Sequence, residues 1–156
     1  MSELTARGAL LAFDFGVKRI GVAVGDWETR LAHPLEAIHA EDNATRFGRI
    51  GALIAEWQPI RLVVGLPLSM EGETHDLTLR ARRFANQLTG RFTLPVTLVD
   101  ERLSSFDADQ RLREAGVRLD PRSRARKGLT DTVAAQQILQ DFFDQQTHAA
   151  HHPAVA

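Results

Sequence analysis

The chain contains no cysteine and no tyrosine among its 156 residues. The absence of cysteine excludes a disulfide framework, thiolate zinc sites, iron–sulfur clusters and a thiol nucleophile. It also fits a reducing compartment. With no tyrosine and with two isolated tryptophans, Trp27 and Trp57, the sequence offers no aromatic array on which RNA bases could stack.

Net charge and long apolar runs are also lacking. Nineteen Lys and Arg residues against twenty Asp and Glu residues give a formal net charge of −1, which excludes a global positive field that would attract nucleic acid. No apolar run approaches the roughly 20 residues that span a bilayer. Residues 1–8 hold no apolar core with a cleavage site. We therefore expect a cytoplasmic protein without a membrane partner.

The composition, 44% hydrophobic and 25% charged, is typical of a globular protein, and the length predicts one domain. We expect this domain to cover residues 1–146. Residues 147–156 hold His, Ala and Pro without periodicity, so we expect a disordered tail there.

Hydrophobic periodicity predicts the element order βββαβαβαα. The predicted strands are Ala9–Phe15, Arg19–Val24, Leu35–Ile38, Arg61–Gly65 and Val96–Asp100. The predicted helices contain the apolar stripes Phe47–Trp57 and Leu77–Leu88, a segment that Ser104 caps, and Thr130–Gln146. The first three strands can pair as a meander, and the last two each follow a helix and so run parallel to the first. The expected fold is an α/β protein with a five-stranded mixed sheet flanked by helices.

Three acidic residues are predicted at one edge of this sheet, at the carboxyl ends of strands, where open α/β sheets bind ligands. Asp14 ends an apolar strand on the face of Leu10 and Ala12, where an ionised carboxylate needs a partner. Glu101 ends the fifth strand. Asp131 continues the apolar stripe of the last helix instead of facing water.

Each of these acids also has a purely structural interpretation. Asp14 could accept backbone N–H bonds from the next turn, and Glu101 could be a surface acid or pair with an arginine. Asp131 could be an acid that the helix dipole favours in a first turn. Together, however, three acids would repel one another unless a cation lay among them. Oxygen ligands without cysteine or a nearby histidine suit Mg²⁺ or Mn²⁺, and two such ions can support phosphodiester hydrolysis.

A basic segment lies immediately before Asp131, with seven Lys and Arg residues against two acids over residues 111–127. We expect this loop to hold phosphates, with a solvated surface as the alternative. The residues assigned to nucleic-acid binding are Lys18 in the first hairpin, Arg102, Arg122, Arg124, Arg126 and Lys127. Arg80, Arg82 and Arg83 on the second predicted helix are expected to form a solvated face.

Four motifs, in this order, resemble those of the YqgF family. They are Leu11–Val24 (LAFDFGVKRIGVAV), Val63–Pro67 (VVGLP), Asp100–Ser105 (DERLSS) and Lys127–Leu139 (KGLTDTVAAQQIL). The resemblance implies an RNase H-like fold related to RuvC-type resolvases. Members are described as Holliday junction resolvases and as nucleases that process the 5′ end of the 16S rRNA precursor.

The resemblance also implies an acidic triad of Asp14, Glu101 and Asp131 as catalytic residues and metal ligands. RuvC-type resolvases carry their second acid at the end of the fourth strand. This chain has Gly65-Leu66-Pro67 there, so Glu101 would replace that acid.

The leading hypothesis is a metal-dependent nuclease that processes pre-16S rRNA, with structured RNA as its partner and Mg²⁺ or Mn²⁺ as its cofactor. The chain would act as a monomer or homodimer. One alternative is a resolvase of branched DNA, which should form a two-fold dimer. Another is a catalytically silent RNA-binding assembly factor, in which the acids are structural. A phosphotransferase of the actin and sugar-kinase type needs two related domains, and 156 residues are too few.

Overall fold

The computed structural model describes residues 8–68, 76–102 and 124–151, and the side chains at 68, 102, 124–129 and 148–151 lie outside the description. The strands and helices within these ranges are β1 (Ala9–Phe15), β2 (Arg19–Asp26), β3 (Leu31–His39), α1 (Asn43–Trp57), β4 (Arg61–Leu68), α2 (Asp76–Phe92), β5 (Val96–Arg102) and α3 (Arg124–His151).

The five strands form one mixed sheet in the order β3-β2-β1-β4-β5. Strands β1, β2 and β3 pair antiparallel as a meander, whereas β4 lies parallel to β1 and β5 lies parallel to β4. The predicted topology is thereby confirmed. The carboxyl ends of β1, β4 and β5 consequently meet at one edge of the sheet, which we call the C-terminal edge.

The centre of the sheet is buried on both faces, which explains the uninterrupted apolar run of β1. Leu11 and Phe13 pack with α1 and α2 on one face, where Phe13 and Phe84 meet edge to face with ring centroids 5.9 Å apart. Leu10 and Ala12 pack against α3 on the other face. By strand alternation, Asp14 shares the face of Leu10 and Ala12, as the sequence predicts.

Helix α3 lies unusually close to the sheet because glycines occupy the strand positions beneath it. A Cβ added at Gly21 would collide with the backbone of Asp131 on α3. One added at Gly25 would collide with Phe143, and one at Gly65 with Ile138. The missing side chains therefore set the distance between α3 and the strands.

Helix α3 also covers the edge strand β3. The side chain of Gln136 donates to the carbonyl of Ala32 over 2.9 Å, and that of Gln140 donates to the carbonyl of Arg30 over 3.0 Å. The backbone N–H of Ala32 donates in turn to Gln140 Oε1 over 3.1 Å. Backbone groups of an edge strand are thus satisfied by glutamine side chains.

Strands β2, β4 and β5 end two or three residues later than predicted, and two further elements differ by four residues or more. Helix α3 was predicted over Thr130–Gln146, but it begins at Arg124 and ends at His151, so it includes the first five residues of the predicted tail 147–156. Arginine, lysine and alanine before Thr130 are good helix formers, and the apolar stripe alone could not reveal them. Strand β3 begins four residues before the predicted Leu35 because an edge strand tolerates Pro34 next to a bulge.

The helix predicted after Ser104 lies outside the described residues. In the part of the chain that the structure describes, no helix combines the length and apolar character needed to cross a membrane.

Replacing Gly21 by alanine is expected to lower the free energy of unfolding by about 1–3 kcal/mol, because backbone atoms of α3 must move to admit the Cβ. Gly48→Ala is the matched control. Gly48 lies on the exposed side of α1 and no neighbouring atom is within 4 Å of an added Cβ, so alanine should stabilise the helix by about 0.5–1 kcal/mol. Urea unfolding measures both effects. If Gly21→Ala unfolded at the same urea concentration as wild type, the close packing of α3 against Gly21 would be contradicted.

Candidate active site at the C-terminal edge

A cavity of about 410 Å³ opens at the C-terminal edge of the sheet. It is bounded by the end of β1, the turn into β2, and single residues of β4, α2 and α3. Its lining residues are Asp14, Phe15, Gly16, Val17, Lys18, Arg19, Pro67, Leu77 and Asp131. The cavity thus contains two of the three predicted acids and the predicted Lys18.

The fold disfavours the ionisation of Asp14. The pKa of Asp14 is raised from 3.8 to about 7, first by burial and then by the neighbouring charge of Asp131, while Arg19 opposes both effects. A carboxyl with such a pKa is poised between its neutral and ionised forms near neutral pH, which is typical of functional sites. The structural alternative, an acid satisfied by the backbone of the next turn, would instead lower the pKa.

Asp131 lies beyond the first turn of α3, because that helix begins at Arg124. The structural interpretation of Asp131 as a first-turn acid therefore does not apply. Its Oδ2 atom accepts a hydrogen bond from Arg19 Nε over 2.6 Å. Burial raises the pKa of Asp131, and this hydrogen bond and the charges of Arg19 and His39 partly offset the rise.

Glu101 is buried on the same face of the sheet as the two aspartates. Glu101 is not among the residues that line the cavity: it lies on β5, which β4 separates from β1, and it pairs with Pro67 of the cavity lining. Gly65 lies between β1 and β5, and a Cβ there would be 3.6 Å from the Cγ of Glu101. Glu101 therefore lies at ordinary contact distance from Gly65, whose missing side chain leaves space for Ile138 of α3. Asp100 faces the opposite way and is exposed.

Among the described residues, no group of three or more Asp, Glu or His side chains is arranged to hold a metal ion. The cavity instead brings together two carboxyls, Asp14 and Asp131, with a guanidinium, Arg19. Two carboxylates remain a suitable protein contribution for Mg²⁺, which commonly takes one or two of them and completes its shell with waters and substrate phosphates.

Arg46 holds the turn that carries Lys18. It is a buried residue of α1, and its Nη2 donates to the carbonyls of Gly16 over 2.6 Å and Val17 over 2.5 Å. Its Nε donates to the carbonyl of Ala40 over 2.5 Å. The guanidinium therefore ties the β1–β2 turn to the start of α1 and fixes the wall of the cavity.

The sequence interpretation missed both Arg19 and Arg46. Arg19 shares a strand face with Gly21, and alternating small residues on one face indicate a closely packed helix opposite. Arg46 falls on the apolar stripe of α1, four residues before Ile50 and seven before Leu53. A charged residue on an apolar stripe is the same signal that identified Asp131.

Of the six basic residues assigned to nucleic-acid binding, the structure describes the side chain of Lys18. Lys18 is exposed and lines the cavity, as expected for a residue that reaches this edge. Residues 124–127 belong to α3 instead of the predicted loop. Arg122 and the side chains of Arg102, Arg124, Arg126 and Lys127 lie outside the described residues.

Comparison with known proteins identifies the family. Residues 8–145 match the family described as "RuvX: Holliday junction resolvase". The chain belongs to the RuvX family. The predicted YqgF relationship is thereby confirmed. RuvX relatives include a protein of Methylobacillus flagellatus named "Putative pre-16S rRNA nuclease", 54% identical over 140 residues that cover 90% of this chain and 93% of the relative.

Two solved structures share the fold of this RuvX family member. The fowlpox virus resolvase, solved with Holliday junction DNA, has a TM-score of 0.51 at 8% identity and covers 88% of this chain and 98% of its own. The yeast mitochondrial Holliday junction resolvase Ydc2 has a TM-score of 0.50 at 12% identity, covering 95% of this chain and 83% of its own. The expected RNase H-like fold is confirmed.

Asp14 makes the stability of this RuvX family member depend on pH. Below its ordinary pKa of 3.8 the carboxyl is protonated in both the folded and the unfolded chain. As the pH rises from there to about 7, the unfolded chain releases the proton while the folded chain keeps it. The free energy of unfolding therefore falls with rising pH, by at most about 1.4 kcal/mol per pH unit from this group.

Asp14→Asn removes this ionisation and is expected to be more stable than wild type at about pH 8, with the difference shrinking toward about pH 4. Urea unfolding across this range, in EDTA, measures the effect. The control variant Asp100→Asn changes an exposed acid of β5 and should follow wild type. If Asp14→Asn also followed wild type at every pH, Asp14 would not be held neutral by burial.

Proposed function

We propose that this protein is a metal-dependent nuclease that hydrolyses RNA phosphodiesters and processes the 5′ end of the 16S rRNA precursor. The observation that carries the proposal is the pairing of Asp14 and Asp131 in one cavity with the cations Lys18 and Arg19. Two carboxyls that repel each other suit the binding of a divalent cation, and the basic side chains beside them suit the binding of a phosphate group.

The donor chemistry of the cavity fits Mg²⁺ or Mn²⁺. Both aspartates have a pKa raised by burial, and Asp131 raises that of Asp14 further, so neither anion is well stabilised by the protein alone. Asp14 and Asp131 would hold the ion, with Glu101 as a third carboxylate beside them. When bound, such an ion supplies a water of lowered pKa and neutralises charge on the phosphate.

The remaining roles follow from the positions of the basic residues. Lys18 is exposed at the rim of the cavity and would bind a phosphate oxygen of the substrate. Arg19 holds the Asp131 carboxyl through its Nε atom and would keep that carboxyl oriented. The turn fixed by Arg46 places both basic residues without rearrangement, so the phosphate would meet a preorganised site.

RNA is favoured as the substrate by the relatives that share about half of their residues with this chain. The Methylobacillus flagellatus protein is named for pre-16S rRNA and is matched over 93% of its length. The second candidate function, resolution of Holliday junctions, is favoured by the description of the RuvX family. It requires two sites related by a two-fold axis, so it predicts a homodimer.

Cleavage assays separate these functions. Wild type is expected to cleave a labelled RNA that contains the 5′ leader of 16S rRNA in Mg²⁺ or Mn²⁺, and EDTA should abolish cleavage. Asp14→Asn and Asp131→Asn should each reduce the rate by about 100-fold or more, because each removes a charge on which the reaction depends. Asp100→Asn, which changes an exposed acid on the opposite face, should retain wild-type activity.

A four-way DNA junction is tested beside the RNA. Cleavage of the junction alone, by a dimer, would replace RNA processing with junction resolution. Binding of RNA without cleavage of either substrate, unaffected by EDTA, would contradict the nuclease proposal and favour a silent assembly factor.

A further inference from the structure

A second concavity lies beside the candidate active site, on the other face of the sheet. It is a groove of about 650 Å³ between the start of α1 and one side of α2. The groove and the cavity meet at Phe15, the residue that follows Asp14 and lines both. Leu77 at the start of α2 lines the cavity, whereas Arg80 and Arg83 line the groove. A chain that left the cavity over Phe15 would therefore enter the groove.

Basic side chains predominate in the groove. Arg80 and Arg83 from α2 and Arg46 from α1 line it, against a single acid, Asp76. Arg80 pairs with Asp76 over 3.0 Å. In the part of the chain that the structure describes, Arg83 forms no ion pair, and its charge is available to a ligand.

The charge of Arg46 is also incompletely balanced. Its guanidinium is buried and donates to backbone carbonyls, and Glu41 and Asp42 attract it only through space. Asp42 itself caps α1 by accepting from the N–H of Thr45 over 2.8 Å. The groove thus has a positive field on a protein whose net charge is −1.

The length of the groove suits a short single strand. Asp76 and Gln87, the first and last residues of α2 that line the groove, are eleven residues apart, which corresponds to about 16 Å of helix. A stacked strand advances about 3.4 Å per nucleotide, so about five nucleotides would lie along this stretch. Gln87 and Asn43 add neutral donors and acceptors to the lining.

The groove suits the backbone of a strand better than its bases. The aromatic rings of Phe47 and Phe84 are buried in the core, 5% and 2% exposed. The ring of the half-buried Phe15 packs against Phe84 and against the guanidinium of Arg46, 5.4 Å from the ring centroid, so these rings leave little surface for base stacking. Arginines in a polar groove instead contact phosphates, which carry no sequence information. The groove should therefore bind strands of different sequence with similar affinity.

We propose that this groove is a binding subsite for single-stranded RNA and holds the substrate strand on one side of the bond to be cleaved. The inference rests on the proposed nuclease function, since it assigns the groove to the strand that passes through the active site. Arg83 binds a phosphate of that strand directly, and Arg80 exchanges Asp76 for a second phosphate.

Helix α2 supplies a matched control for this proposal. Arg82 is adjacent to Arg83 and exposed, but it does not line the groove. Arg82→Gln and Arg83→Gln remove the same charge from the same helix, so general electrostatic attraction changes equally in both variants. A difference in RNA affinity between the two variants would therefore come from the position of Arg83 in the groove and not from its charge alone.

Binding is measured by fluorescence anisotropy with labelled single-stranded RNAs of about 12 nucleotides and two unrelated sequences, in the Asp14→Asn background to prevent cleavage. Arg83→Gln is expected to lower the affinity for both RNAs by about 5- to 10-fold. It should also reduce the slope of log affinity against log salt concentration by about 1. Arg82→Gln should change affinity less than about 2-fold. Equal effects of the two variants, or no binding of RNA to the parent protein, would overturn the subsite.

The outcome is independent of the nuclease assay. If wild type cleaves RNA but Arg82→Gln and Arg83→Gln bind it equally, the nuclease proposal stands and the subsite falls. If wild type does not cleave RNA but only Arg83→Gln loses affinity, the groove still binds the strand and the nuclease proposal falls. Poly-glutamate is tested as a competitor of the labelled RNA. If it competes and both variants bind RNA equally, the groove would be assigned to an acidic protein segment and the RNA subsite would be overturned.

Discussion

The close approach of α3 to the sheet is the constraint on which the candidate active site depends. Gly21, Gly25 and Gly65 are required for space and not for conformational freedom, because a side chain at any of them would meet α3. Helix α3 carries Asp131 and β1 carries Asp14, so backbone packing brings the two carboxyls to one cavity. Side-chain flexibility contributes little to this arrangement, and the site is correspondingly preorganised.

The same proximity is unfavourable for the folded chain by itself. Burial and mutual repulsion raise the pKa of Asp14 to about 7, and a single guanidinium, Arg19, opposes both effects. A core of this size could replace such a pair by apolar side chains without loss of stability. Local strain of this kind is expected where a site serves a ligand instead of the fold.

The sequence predicted the sheet because alternation and continuous apolar runs report directly on burial. It predicted Asp14 and Asp131 because each interrupts an apolar pattern. Arg19 was missed because an arginine at the start of a strand is usually exposed, and its partner Asp131 is 112 residues away in the chain. Arg46 was missed although it breaks the stripe of α1 in the same way as Asp131. The start of α3 could not be predicted, since the apolar stripe that predicts this helix begins only near Thr130.

The glutamines of α3 have a consequence for how copies of this protein can associate. Gln136 and Gln140 occupy hydrogen-bonding groups at the beginning of β3, the edge strand of the sheet. An extended peptide or a second sheet would have to displace both side chains before it could pair with Ala32. The beginning of β3 is therefore protected against intermolecular β-sheet growth, and a second copy is disfavoured from adding a strand at this point.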